Sequence, residues 1–147
     1  MSIEFLTALN AERMPYPAAL NAKAAEMGIP LEVGPSFSDL SRYGYRPARF
    51  GGRDSGIEAG LAGLDTIRGT YDDFDREVVG RYDSALTLTF GSDAREGAVA
   101  MAICAVLTEA AEAVTYSTED GRFVGASELR SWMSELEAQA AKREMPQ

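Results

Sequence analysis

The densest chemistry in the chain is Tyr71-Asp72-Asp73-Phe74-Asp75-Arg76-Glu77, where four carboxylates fall within six residues. Asp73, Asp75 and Glu77 match the alternating ligands that open a calcium loop. Counted from Asp73, however, the sixth position is Val78 where the loop turn requires glycine, and the twelfth is Ser84 where a bidentate Glu belongs. An EF-hand is therefore excluded. The segment better suits protein recognition, with Tyr71 and Phe74 as anchors and the acids as steering charge. Carboxylates this close repel one another, and a basic partner turns that repulsion into attraction. The expectation is a partner-facing edge formed by Tyr71, Asp72, Asp73, Phe74, Asp75 and Glu77, with a basic protein as its partner.

The run from Arg42 to Arg53 has the opposite character: four Arg interleave with Tyr43, Tyr45, Phe50 and several glycines. Such a composition can stack bases and grip phosphates. Against this stand fourteen basic and twenty-three acidic residues, a net charge of −9, and the absence of RNP, KH or helix-turn-helix patterns. Nucleic acid is not expected as a partner. The alternative use of this run is a small-anion site in which Arg46, Arg49 and Arg53 hold the substrate and Glu58 acts as base. Convergence of those side chains in a concave site is what separates that enzyme from a binding protein. Gly51-Gly52-Arg53-Asp54-Ser55-Gly56 is neither a P-loop nor a dinucleotide fingerprint, and Ser55 lacks the nucleophile-elbow spacing. Its glycines are expected to serve backbone turns.

Other chemistries fail for want of residues. The chain has no His, which removes Ser-His-Asp and Cys-His hydrolysis and the usual zinc and facial-triad iron sites. The single Cys104 can form no internal disulfide, and its apolar surroundings from Ala98 to Leu107 mark it as a small buried hydrophobe. No metal, cofactor or catalytic set is expected. That apolar run is ten residues long, too short to span a bilayer, and the start Met1-Ser2-Ile3-Glu4-Phe5 has no signal-peptide character. A cytoplasmic location is the expectation, and one reduced Cys agrees with it.

These residues must be positioned by secondary structure, and 147 residues with 46% hydrophobic content suffice for one globular domain spanning 1–147. Ile3, Phe5, Thr7 and Leu9 alternate in a first strand over Ser2–Leu9. Pro17 then opens a helix running through Met27 and stopped by Gly28, and Ile29–Val33 reads as a short strand. Gly34 to Gly63 shows no sustained period and reads as a long central loop, with a short strand near Gly56–Leu61. Leu64–Val79 is ambiguous but carries apolar residues near helical spacing. Tyr82–Phe90 alternates cleanly, with Leu86, Leu88 and Phe90 on one side and Asp83, Thr87 and Thr89 on the other. Ser92 or Asp93 caps a deep helix over Ala94–Ala113. Val114–Ser117 and Arg122–Val124 form a hairpin around Asp120-Gly121. Ser127 caps a last helix with Leu129, Trp132, Met133 and Leu136 on one stripe, and the tail after Lys142 frays. Strand–helix–strand occurs twice. The expected fold is thus α+β: a split βαβ, ferredoxin-like antiparallel sheet with two packing helices, the long loop, and an added C-terminal helix.

Gly44-Tyr45-Arg46-Pro47, Gly52 and Ser55-Gly56-Ile57-Glu58, followed by the Tyr82–Phe90 strand and an Ala-rich helix, resemble small bacterial α+β proteins of poorly characterised families. Some members of these behave as immunity proteins to secreted toxins. The likeness extends from Gly44 to Gly121 and carries no catalytic residue with it. What it implies is binding, since an immunity protein occludes its toxin and needs no chemistry of its own. The leading expectation is a non-enzymatic intracellular protein that neutralises a cognate toxin. The small Arg-and-carboxylate enzyme and a structural homodimer module are the alternatives.

Overall fold

The computed structural model describes residues 2–67 and 69–144. The first strand, β1, covers Ile3–Leu9, and helix α1 covers Pro17–Glu26 with Pro17 in its first turn. Gly28, at φ +74°, ends that helix in the left-handed region that glycine enters without steric cost. Strand β2 is only Leu31–Val33.

The expected long loop is instead largely sheet. Strand β3 spans Gly44–Phe50 and β4 spans Arg53–Gly63, paired antiparallel from Gly44↔Ala59 to Phe50↔Arg53. Gly51 and Gly52, at φ +61° and +77°, form the two-residue turn between them. Two left-handed residues match the twist of a tight hairpin, which is why Gly-Gly is a hairpin signal rather than a loop signal. The alternation of β4 is disguised because Gly56 and Gly60 occupy one face while Ile57 and Ala59 are buried on the other. Only Pro35–Ser38, a single turn of 3-10 helix, and the residues just after it remain of the loop.

The rest follows expectation more closely. The ambiguous segment resolves into a 3-10 turn at Leu64–Thr66 and a seven-residue helix, α2, at Asp72–Val78. Strand β5 covers Ser84–Phe90, and helix α3 covers Ala94–Ala110 with Asp93 as its cap. Strands β6 (Val114–Ser117) and β7 (Arg122–Val124) form the hairpin, with Gly121 at φ +65° in its turn. Helix α4 runs from Ala126 to Glu144, so Ser127 lies inside its first turn. The expected fraying after Lys142 falls largely on 145–147, outside the described residues.

Among the described residues all seven strands join one antiparallel sheet in the order β2-β3-β4-β5-β1-β6-β7. β5 and β6 lie on either side of β1 and run parallel to each other, with α3 crossing between them. The architecture is α+β, but with more strands than the expected arrangement and three helices, α1, α3 and α4, packed on one face. Because successive strand residues point to opposite faces, the sheet carries two cores. Phe5, Leu9, Ile57, Ala59, Leu86, Leu88 and Phe90 meet α3 together with Leu20 and Ala24 of α1 and Leu129 and Met133 of α4. On the reverse face, Leu6, Ala8, Ala85 and Tyr116 are covered by Leu64, Phe74 and Val78.

Helix α3 is buried without interruption from Gly97 to Leu107. Its one thiol faces two threonines: Thr7 Oγ1 lies 3.2 Å from Cys104 Sγ and 3.0 Å from Thr115 Oγ1. Burial pushes the Cys104 thiol up to about 11, with the Thr7 and Thr115 contacts opposing the rise. It is a packed hydrophobe that satisfies two buried hydroxyls, not a nucleophile.

Candidate interaction face

The reverse face is only half covered. Helix α2 and the 3-10 turn before it shield the β1–β6–β7 side, whereas among the described residues no helix lies over β3 and β4 on this face. A register row runs straight across the open half: Tyr45 opposite Glu58, Glu58 opposite Thr89, Thr89 opposite Glu4. Paired residues share a face, so these four side chains stand on the same side of the sheet. The adjacent row places Gly60, Thr87 and Leu6 side by side.

Two tyrosines pave this surface, each 53% exposed. Both lie over glycines. A Cβ on Gly60 would come within 2.8 Å of Tyr43 Cα, and one on Gly56 would meet the end of the Tyr45 ring and the Arg46 carbonyl. The missing side chains let the rings settle against the sheet. Tyr43 Oη donates to Glu58 Oε2 at 3.3 Å, and Tyr71 Oη donates to Glu4 Oε1 at 3.5 Å. Each carboxylate on the row therefore has a phenol beside it.

Around Glu58 the electrostatics of this half are acidic, while Arg49, further along β3, pairs with Asp54. Partial burial raises the Tyr43 hydroxyl above its ordinary range; a Thr89 hydrogen bond opposes the rise, and the charges of Glu58 and Glu4 add to it. Tyr45 is raised first by burial and then by Glu96 and Asp93. Glu96, in the first turn of α3, is itself raised by burial, by Asp93 and by Glu58. Asp93 accepts from the Arg95 and Glu96 amides at 2.9 and 3.2 Å as the helix cap. The charges of Asp93 and Glu58 thus repel that of Glu96 where the start of α3 comes near the sheet edge.

The Tyr71–Glu77 segment lands on the same side of the sheet but not in the expected form. Phe74 has no exposed surface; its ring packs against Tyr116 and Phe123, so it is a core residue and not a surface anchor. The seven-residue α2 can bury only one face, and Phe74 and Val78 share it at i, i+4. Tyr71 is half-buried against Tyr116. Nor do the acids stand unrelieved: Asp73 pairs with Arg76, Glu77 with Arg81 at 3.5 Å, and Asp75 accepts the Gly69 amide at 2.7 Å. Asp72, Asp73 and Glu77 remain exposed along the outer side of α2.

Arg46, Arg49 and Arg53 do not converge. Arg46 points to the helix-covered face, donating to the Ser36 and Arg42 carbonyls. Arg49, an odd number of residues away, points to the open face and pairs with Asp54 at 3.5 Å. Arg53 reaches Glu144 of α4 at 3.4 Å. Glu58 consequently has no cationic substrate cradle beside it. A cleft of about 610 Å³ near Asn21, Pro30, Glu32 and Arg49 brings together no acid–base or nucleophilic set. Among the described residues, no three metal-ligating side chains group together, and no helix is long and apolar enough to cross a membrane.

Sequence reasoning missed Glu4, Thr89 and the two exposed tyrosines as members of one surface. The signals were the polar side of β5, at Thr87 and Thr89, and the glycines spaced two apart around Glu58. Only the strand register joins them. No family model, curated protein or solved structure matches the chain.

Proposed function

We propose that this is a non-enzymatic binding protein that captures a basic protein partner, in the manner of an immunity protein neutralising a toxin. One observation carries the reading: among the described residues half of a sheet face is left without a helix, and the rows around Glu58 present carboxylate, tyrosine and threonine. Uncovered sheet of this kind is suited to a protein surface, where aromatics supply contact area and acids steer the encounter. The net charge of −9 extends the attraction beyond the face itself. The split βαβ unit of β5, α3 and β6 around β1, the ferredoxin-like element within the larger sheet, serves as the rigid base. The separated Arg46, Arg49 and Arg53 leave the anionic-substrate enzyme without its binding site.

The test is direct binding between the purified protein and the product of the neighbouring gene, measured by calorimetry across a salt series. Tight association that weakens steeply with salt, together with loss of the partner's toxicity on co-expression, supports the reading. A neighbour that is neither basic nor toxic, and shows no binding, overturns it.

A further inference from the structure

We infer that the outer edge of β7 accepts an extended segment of another protein as an added strand, with an apolar side chain of that segment seated in the cavity beside Gly125. This site is separate from the open half-face and does not depend on it.

Register decides which backbone groups of β7 face outward. The Thr118 amide donates to the Glu4 carbonyl at 3.3 Å, so on β6 the groups of Tyr116 and Val114 also turn to β1. Those of Thr115 and Ser117 turn the other way, to Val124 and Arg122 of β7. Phe123, between them, therefore points its N–H and C=O away from the sheet. Strand β7 is last in the order, and among the described residues neither group has a hydrogen-bond partner. The opposite edge is closed. There the Asn21 amide bonds both backbone groups of Val33, as a neighbouring peptide unit would.

A cavity of about 470 Å³ adjoins the open edge, lined by Val114, Phe123, Val124 and Gly125 together with Glu77 and Arg81. A Cβ at Gly125 would meet nothing within 4 Å, so the space beside that residue is free. Strand addition uses this combination: main-chain bonds hold the segment, and a pocket reads alternate side chains. Antiparallel pairing, the pattern of every strand pair in this sheet, puts the residue opposite Phe123 into reciprocal hydrogen bonds with it. The residue two places along the segment then stands opposite Gly125, at the cavity. Val114, Phe123 and Val124 make that position apolar. The residue opposite Phe123 shares its face, where α2 packs and leaves Asp73 and Glu77 exposed, so a lysine suits that place. A second copy is the poorer occupant, because each chain carries a net charge of −9 and association brings like charge together.

The probe is the capped peptide Thr-Leu-Thr-Lys-Thr-Leu-Thr, titrated into the isotope-labelled full chain. In the free chain the Phe123 amide should exchange rapidly with solvent while those of Arg122 and Val124 are protected. On titration, amide shifts should centre on Val114, Phe123 and Gly125, and Phe123 should gain protection. A peptide N-methylated at the lysine keeps its charge and side chains but loses the donor to the Phe123 carbonyl; it should bind at least about tenfold more weakly. Serine in place of both leucines should weaken binding several-fold, and Gly125→Leu, which fills the cavity mouth, should no longer distinguish the two peptides. No binding at millimolar peptide, equal binding of the N-methylated peptide, or shifts centred on the open half-face overturns the inference. So does a Phe123 amide already protected in the free chain. Protection independent of concentration means that the fold covers the edge, and protection that grows with concentration gives the edge to a second copy.

Discussion

Tyr43 and Gly60 occupy one space on the sheet: a Cβ at position 60 would lie 2.8 Å from the backbone Cα of Tyr43. A ring can swing aside, but a backbone atom moves only with its strand. Gly60→Ala should therefore push the start of β3 away from β4 and cost roughly 1–3 kcal/mol, the range for overpacking a tight site. Urea unfolding will measure it. The same variant should lose the Tyr43–Glu58 hydrogen bond, visible as a fall in the Tyr43 phenol's pKa toward its ordinary value in a spectroscopic titration.

Phe74→Ala removes a fully buried ring from the smaller core, where it meets Tyr116 and Phe123. Truncations of this kind cost about 3–5 kcal/mol. Helix α2 is too short to persist without its packing, so its amides should lose hydrogen-exchange protection first. A variant as stable as the parent would contradict the assignment of Phe74 to the core.

Asn21 closes the outer edge of β2. Its amide nitrogen donates to the Val33 carbonyl at 3.1 Å, and its oxygen accepts the Val33 amide at 2.7 Å, so one side chain satisfies both backbone groups. An edge strand without such cover is a template for pairing with another chain. Asn21→Ala should cost about 1–3 kcal/mol through two lost hydrogen bonds in a half-buried site. Light scattering should also detect concentration-dependent association absent from the parent.

Glu96 has a distinct pH signature. Its folded-state pKa is raised, by burial first and then by Asp93 and Glu58, so the folded chain holds the proton more tightly than the unfolded chain. Stability from this group is fully present below the ordinary Glu range. It is lost as pH rises from the unfolded to the folded pKa, and stays lost at neutral pH. Glu96→Gln should therefore raise the thermal midpoint at pH 7 relative to the parent, with the difference shrinking as pH falls from the raised folded pKa into the ordinary Glu range and gone below about 4. A gain of the same size at every pH would mean that charge at position 96 is not the cause.

Several elements are legible from residues close together in the chain. The alternation of Leu86, Leu88 and Phe90, the Asp93 cap, the Gly121 hairpin and the Leu129–Leu136 stripe each carry their signal within about ten residues, and the structure places each accordingly. Their conformations are favoured by local sterics and local hydrogen bonding, or by a period that only one backbone geometry can use. The β3–β4 hairpin is different. Gly-rich strands have little β propensity of their own, and β4 is held by Tyr43 and Tyr45 over its glycines and by the pairing of β5 on its other edge.

The interaction face belongs to that second kind. Nothing near Glu4 in the chain indicates that it stands two strands from Glu58, because fifty-four positions separate them and β5 lies between. The acidic neighbours of Phe74 suggest a surface anchor, yet the sheet's reverse face needs an apolar cover and a seven-residue helix has only one face to give. Charge and composition alone mark this protein as acidic and without histidine chemistry. Which acids meet, and which aromatics stay outside, was decided by strand register and by where the sheet ran out of helices to cover it.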